Sequence, residues 1–223
     1  MFAFVTTQLL RQVAHDIRSP AGVVHNALEE LTHEGTPEQQ AQMKSMAQRG
    51  IRRLLRLADR LSMVAELQKE VSFARERLDV RDIAETACDQ AGALQSRRTV
   101  AVTREFGERP SYAMLDVRWV VAALSEVVAN ALRFARSQVR IRVIENDAQV
   151  SVVVEDDGPG FPEGFDIDRP FAERPGVQGL GLSLAIAADV MCALGGALSI
   201  ETSTLPPYRQ GNAGAKVTLV LPR

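Results

Sequence analysis

Cysteine is scarce in this chain: among 223 residues there are two, Cys88 and Cys192, far apart in sequence. Two thiols cannot build a disulfide framework, and they are too few for a zinc site, so reduced, buried side chains are expected. Neither sign of charge prevails. The 26 Lys and Arg residues against 28 Asp and Glu give a net charge of -2, which supplies no basic field to draw nucleic acid or an anionic membrane surface. No apolar run reaches the ~18 residues that a membrane span requires. Residues 1–10 lack the basic start, full apolar stretch and small-residue cleavage site of a secretory leader. The expected location is cytoplasmic, with a membrane link only through a segment outside this stretch. With 46% hydrophobic and 24% charged residues, the composition is that of a globular protein, neither disordered nor collagen-like, and the length allows one large domain or two modest ones.

Glycine and proline are also unevenly spread. Residues 1–72 hold one Pro inside a helical pattern and one turn, His33-Glu34-Gly35-Thr36-Pro37; residues 73–223 hold most of the rest. In the first segment Leu10, Ile17, Val24 and Leu31 recur every seven residues, followed three positions later by Val13, Pro20 and Ala27. This is the seam of a helix in a coiled-coil-like bundle. A second helix is expected to start near Pro37 with Thr36 as N-cap and Gln39 near the capping-box position. It repeats Ala47, Leu54 and Leu61, and Leu57, Val64 and Val71, at the same spacing. A lone pair of such long helices buries each on one side only, so pairing of two chains into a four-helix bundle is the simple way to cover the rest.

Beyond residue 73, helical and strand patterns alternate. Helices are predicted at 79–97, 116–135 (with Trp119 and Leu124 in the core) and 181–194. Strands are predicted at 99–106, 138–145, 149–155, 196–202 and 215–221, with Asn146-Asp147-Ala148 as a hairpin turn. The mixture implies an α/β sandwich, a mixed sheet with helices on one face.

Chemistry concentrates in four places. His15-Asp16-Ile17-Arg18-Ser19-Pro20 lies on the first helix. With Leu10 and Ile17 on the seam, His15 points to solvent, free to act as a nucleophile through Nε2 while Asp16 holds the Nδ1 proton. Pro20 removes the amide that would bond the Asp16 carbonyl, which loosens or bends the helix. A solvated surface histidine with an incidental Pro is the alternative. On the helix at 116–135, Glu126, Asn130, Arg133 and Phe134 share one face; an amide oxygen suits Mg²⁺ and a guanidinium suits phosphate, although an amphipathic helix with a polar side reads the same way. Glu155-Asp156-Asp157-Gly158-Pro159-Gly160 follows a strand directly. Its glycines let backbone approach a flat ligand, and its carboxylate can accept from an exocyclic amine. Gly176-Val177-Gln178-Gly179-Leu180-Gly181-Leu182 opens a helix, where free amides bind phosphate. Neither glycine loop fits the P-loop or the Rossmann fingerprint.

Taken in order, these segments resemble the catalytic core of a bacterial two-component sensor histidine kinase. That core consists of a dimerisation and phosphotransfer hairpin (here 1–72) followed by an ATP-binding domain of the GHKL superfamily (here 73–223). His15 through Pro20 resembles the H box. Asn130, Arg133 and Phe134 resemble the N box. Asp156, Gly158 and Gly160 resemble the first glycine box, and Pro170-Phe171 the F box. Gly179, Leu180, Gly181 and Leu182 resemble the second glycine box. The resemblance implies a protein-histidine kinase with ATP and Mg²⁺ as cofactors. His15 would be the phosphoacceptor, Asp16 its orienting base and Asn130 the metal ligand. Asp156 would read adenine, and Ser19 would stand where a hydroxyl aligns water for dephosphorylating the regulator. The implied partners are a second copy of the chain and the receiver domain of a response regulator, with no nucleic acid. The chain departs from the family at Glu126, which stands where an Asn is usual and resembles the water-activating Glu of hydrolytic superfamily members, and at Asp157 and Val177. Two other readings stay open: a phosphotransfer or scaffold protein with weak or absent ATP binding, and a GHKL-type ATPase.

Overall fold

The computed structural model describes residues 7–33, 35–67, 69, 72–92, 100–167, 182–208 and 213–222. The chain divides into two compact units, the first carrying Met1–Lys69 and the second built on Glu70–Arg169 with Ser183–Arg223.

The first unit is a hairpin of two long helices, α1 (Thr7–Glu30) and α2 (Pro37–Leu67). The turn between them is closed by a reciprocal capping box. The Thr36 amide donates to Gln39 Oε1 (2.9 Å) and the Gln39 amide donates to Thr36 Oγ1 (3.3 Å), which satisfies two of the orphan donors of a helix start. Pro20, Ala27, Ala47, Gly50 and Leu57 form the buried seam. Helix α1 runs unbroken through Pro20. The helices approach closely one turn beyond, where a Cβ on Gly50 would stand 2.5 Å from Val24 Cγ2 and 3.0 Å from the Pro20 carbonyl oxygen. Ile17, expected on the seam, is 43% exposed within one chain, and Leu28, Ile51 and Leu55 are exposed as well. The hairpin therefore carries an apolar face that it does not cover itself.

The second unit is an α/β sandwich with a mixed sheet. Its elements run β1 (Glu76–Asp79), α3 (Val80–Gly92), β2 (Ala101–Glu105), β3 (Tyr112–Leu115), α4 (Val117–Phe134), β4 (Gln138–Glu145), β5 (Val150–Asp156), α5 (Leu182–Leu194), β6 (Ala197–Thr202) and β7 (Ala215–Leu221). The main sheet has the order β2-β4-β5-β7-β6; β2 lies parallel to β4 and every other pair is antiparallel. The predicted strands and helices of this region are present. Helix α3 is described to Gly92, and residues 93–97 of its predicted span lie outside the described residues. Strands β1 and β3, which form a separate antiparallel ribbon, are not predicted: four residues each are too few to show alternation.

One face of the sheet is packed by helices. Ile141, Val152, Val154, Val217 and Leu219 share that face by register and are buried. Arg104, on the same face by its pairing with Ile141, ion-pairs with Glu85 and Asp89 of α3. Helix α4 is fixed at its start by Asp116, whose carboxylate accepts from the Arg118 amide (3.1 Å) and from the Ala74 amide (3.0 Å). Trp119 is buried in an edge-on contact with Phe73. Helix α5 ends in a Schellman motif, with Gly195 at φ +86° and its two closing bonds to Cys192 and Met191. Cys88 is buried, as expected, and burial pushes its thiol up to about 11, whereas Cys192 is exposed. No helix among the described residues is long and apolar enough to cross a membrane.

Candidate functional site

The first candidate group lies on α1. The His15 side chain is 72% exposed, and its Nδ1 stands 3.2 Å from Asp16 Oδ1. With the proton on Nδ1, the imidazole donates to Asp16 and keeps the Nε2 lone pair in solvent. Ser19 is exposed one turn further on, and Pro20, beside it, is buried. Pro20 has no amide to donate to the Asp16 carbonyl, and its ring is buried on the seam. Of the two seam positions in this turn, Pro20 is buried as the heptad predicts, whereas Ile17 is exposed within one chain.

The second group is built where β5 ends. Successive strand residues point to opposite faces, which separates Glu155 from Asp156, and Asp157 lies just beyond the end of the strand. Asp156, 4% exposed, sits on the helix-packed side. Its Oδ1 accepts from the amide of Gly158 (2.8 Å) and more distantly from that of Ala215 (3.4 Å). Burial raises its carboxyl to about 6 against those two donors, and the neighbouring Asp157 adds to the rise. Asp157 behaves oppositely. Burial would raise it, but donors outweigh burial and hold it low. Its oxygens accept from the amides of Arg136 (2.8 Å), Ser137 (3.0 Å) and Gln138 (3.1 Å) and from the Ser137 hydroxyl. The carboxylate that departs from the family pattern thus staples the turn between α4 and β4 to the glycine loop. All three amides reach Oδ1, and the Ser137 hydroxyl donates to Oδ2, the second acceptor that a neutral amide lacks.

The glycines of this loop are required by backbone approach. A Cβ on Gly158 would meet the Phe134 carbonyl oxygen at 2.5 Å. A Cβ on Gly160, at φ +73°, would meet the Ala213 carbonyl oxygen at 2.6 Å. Gly214 presses closer still, its Cβ position lying 1.7 Å from the Asp156 carbonyl oxygen. Three segments distant in sequence meet here: the end of α4, the turn after β5 and the start of β7. Gly214 and the stapling role of Asp157 are not read from the sequence. Residues 211–214 look like ordinary loop composition, and nothing local shows what a glycine will face.

Helix α4 supplies the adjoining wall. Leu124, Val127, Val128, Ala131 and Leu132 are buried, whereas Glu126, Ala129, Asn130, Arg133 and Phe134 keep exposure. Glu126, Asn130 and Arg133 therefore share the accessible side, and the Gly158 contact with Phe134 brings the end of that side to the Asp156 turn. The Arg133 guanidinium stands 5.1 Å from the Phe134 ring centre. Among the described residues no group of three or more His, Cys, Asp or Glu side chains could hold a metal. The donor set here is one amide oxygen with a carboxylate one turn away. That fits an ion such as Mg²⁺, which takes few protein oxygens and completes its shell with water and phosphate oxygens. Phe171, Gly179, Leu180 and Gly181 lie outside the described residues, and of Leu182 only the backbone is described, as the first residue of α5.

With this geometry in place, comparison with known proteins places the chain. Residues 115–223 match the family described as histidine kinase-, DNA gyrase B- and HSP90-like ATPase. The chain is 29% identical over 97% of its length to the signal transduction histidine-protein kinase AfsQ2 of Streptomyces coelicolor, covering 42% of that protein. It is 30% identical over 89% of its length to the sensor protein RstB of Escherichia coli, covering 46% of it. The chain thus spans about half the length of these curated relatives. Among solved structures, the Acinetobacter baumannii histidine kinase AdeS superposes over 93% of this chain and 97% of that one, with a TM-score of 0.64 and 18% identity, which speaks for the fold. Residues 115–223 are therefore similar to the histidine kinase-, DNA gyrase B- and HSP90-like ATPase family, and the chain as a whole is similar to sensor histidine kinases.

Proposed function

We propose that this chain is the catalytic core of a sensor histidine kinase. It transfers the γ-phosphoryl group of ATP to His15 and passes it on to an aspartate in the receiver domain of a response regulator. The observation that carries the reading is the exposed His15 imidazole with Nδ1 turned to Asp16, in a chain whose residues 115–223 match an ATPase family. Residues 1–72 act as the dimerisation and phosphotransfer hairpin and residues 73–223 as the ATP-binding domain. The uncovered Ile17, Leu28, Ile51 and Leu55 support pairing of two hairpins into a four-helix bundle. The chain works on the cytoplasmic side, where ATP is available.

Asp156 accepts from the exocyclic amine of adenine, and Arg133 meets phosphate oxygens. Asn130, with Glu126 beside it, would hold Mg²⁺, which would supply charge neutralisation at the phosphates. The lone pair of His15 Nε2 attacks the γ-phosphorus, the bond from γ-phosphorus to the bridging oxygen breaks, and ADP leaves with that electron pair. Asp16 takes the Nδ1 proton as the ring gains its phosphoryl group. Ser19, one turn along the same face, aligns the water that dephosphorylates the regulator. The test is incubation with γ-labelled ATP. Wild type acquires acid-labile label and His15→Gln acquires none. Equal labelling of both rejects His15 as acceptor, and phosphate release with no labelled protein identifies an ATPase instead.

A further inference from the structure

On the open side of the sheet, opposite the helices, lies a cluster that the reaction above does not use. Glu155 is fully buried there. Its Oε2 accepts from Arg140 Nε (3.2 Å), Arg140 Nη2 (2.8 Å) and Arg142 Nη2 (3.0 Å). Its Oε1 accepts from the Thr204 amide and from the Thr204 hydroxyl, both at 2.8 Å. The hydroxyl in turn accepts from Arg140 Nη2 at 2.8 Å. Burial pushes the Glu155 carboxyl up, but these donors more than reverse it and hold the group at about 2.

An ion cluster in this place is a poor way to gain stability. Desolvation consumes most of the attraction, and an apolar side chain would serve as well; Val153, two residues earlier on the same face, is buried without any such partners. What the cluster does provide is position. Arg140 stands directly opposite Glu155 in the β4–β5 register, and a slip of one residue would exchange the faces of Glu155 and Asp156. The connection from β6 to β7 grips both residues. Its first end carries Thr204, bound to Glu155. Its second end carries Gly214, pressed on the Asp156 backbone, and Ala215, whose amide faces the Asp156 carboxylate. The two ends are tied together by the Ser203 amide donating to the Gly214 carbonyl at 2.8 Å.

We propose that Arg140, Glu155 and Thr204 form a positioning clasp that seats the Asp156 carboxylate and so sets the preference for a purine bearing a 6-amino group. The clasp rests on the reading of Asp156 as the adenine acceptor, and the experiment separates the two. The full chain is titrated at equilibrium with Mg²⁺-ATP and with the Mg²⁺ complex of purine riboside triphosphate, which lacks only the amine. The variants are wild type, Thr204→Val, which keeps the shape of an exposed side chain but loses both hydroxyl bonds, and Thr204→Ser. Thr204→Val is expected to weaken ATP binding roughly three- to tenfold, to leave the amine-free nucleotide unchanged, and to be rescued by Thr204→Ser. Equal loss for both nucleotides, or no loss for ATP, overturns the clasp. If wild type binds the two nucleotides equally, the adenine reading of Asp156 fails and the clasp with it. If wild type prefers ATP but does not label His15, the kinase reading fails while the clasp stands.

Discussion

Replacing Gly214 by Ala is the sharpest perturbation of the candidate nucleotide site. The new Cβ would lie 1.7 Å from the Asp156 carbonyl oxygen and 2.6 Å from the carbonyl carbon, with the Asp157 Cα at 3.0 Å. All three are backbone atoms, so no rotamer change relieves the clash, and β7 or the Asp156 turn must retreat by more than about an ångström. Strand β7 is paired on both sides, with β5 and β6, so it cannot move freely. Overpacking of this kind costs on the order of 1–3 kcal/mol. Separation of the Ser203–Gly214 bond adds about 1 kcal/mol. A loss of about 3 kcal/mol in a domain of this size lowers the melting temperature by roughly 6–12 °C. Trp119, the single tryptophan, is buried in the second unit and reports its unfolding by fluorescence. ATP binding is expected to weaken alongside, because the Asp156 turn is what moves. A melting temperature within about 1 °C of wild type would refute the reasoning.

The Asp156 carboxyl, raised to about 6 by burial, predicts a pH dependence. Between its ordinary value and 6 the folded state holds the extra proton, so this group's contribution to stability falls as pH rises through that window and is level above it. Acceptance from adenine needs the carboxylate, so ATP affinity is expected to fall as pH drops below 6, by up to about tenfold per unit. Asp156→Asn removes this component; titrations at pH 5 to 8 in which wild type and Asn variant share one slope would count against it. In the hairpin, Thr36→Ala removes the side-chain half of the capping box and is expected to cost about 1 kcal/mol. Circular dichroism at 222 nm during urea titration checks this, and an unchanged midpoint would show that the turn is held by other contacts.

What could be read from the sequence were the elements whose pattern is long enough to carry a period. Seven-residue spacing placed Pro20 and Ala27 on the buried seam and His15 facing outward, whereas Ile17 of the companion series is exposed within one chain. The strand patterns of 138–145 and 149–155 marked β4 and β5 within a residue. The ribbon of β1 and β3 was not legible, since neither strand runs beyond four residues. The site was legible in its residue types and less so in their work. Gly158 and Gly160 read as room for a ligand, whereas the structure shows each required by a neighbouring carbonyl of the protein itself. Asp157 read as a substitution, yet it holds three amides. Glu155 read as one more charge at a strand end. Its partner Thr204, and Gly214, which presses on Asp156, lie about fifty to sixty residues downstream, and no local pattern encodes a contact of that range.

The central place of β5 has a consequence for how the protein is made. Asp156 obtains its second amide donor from Ala215, and Glu155 obtains two donors from Thr204. A nascent polypeptide with β5 already outside the ribosome still lacks every one of those groups, and contacts of such sequence separation close slowly. Nucleotide competence therefore waits until residues 204–215 have been made, well after the hairpin that bears the histidine.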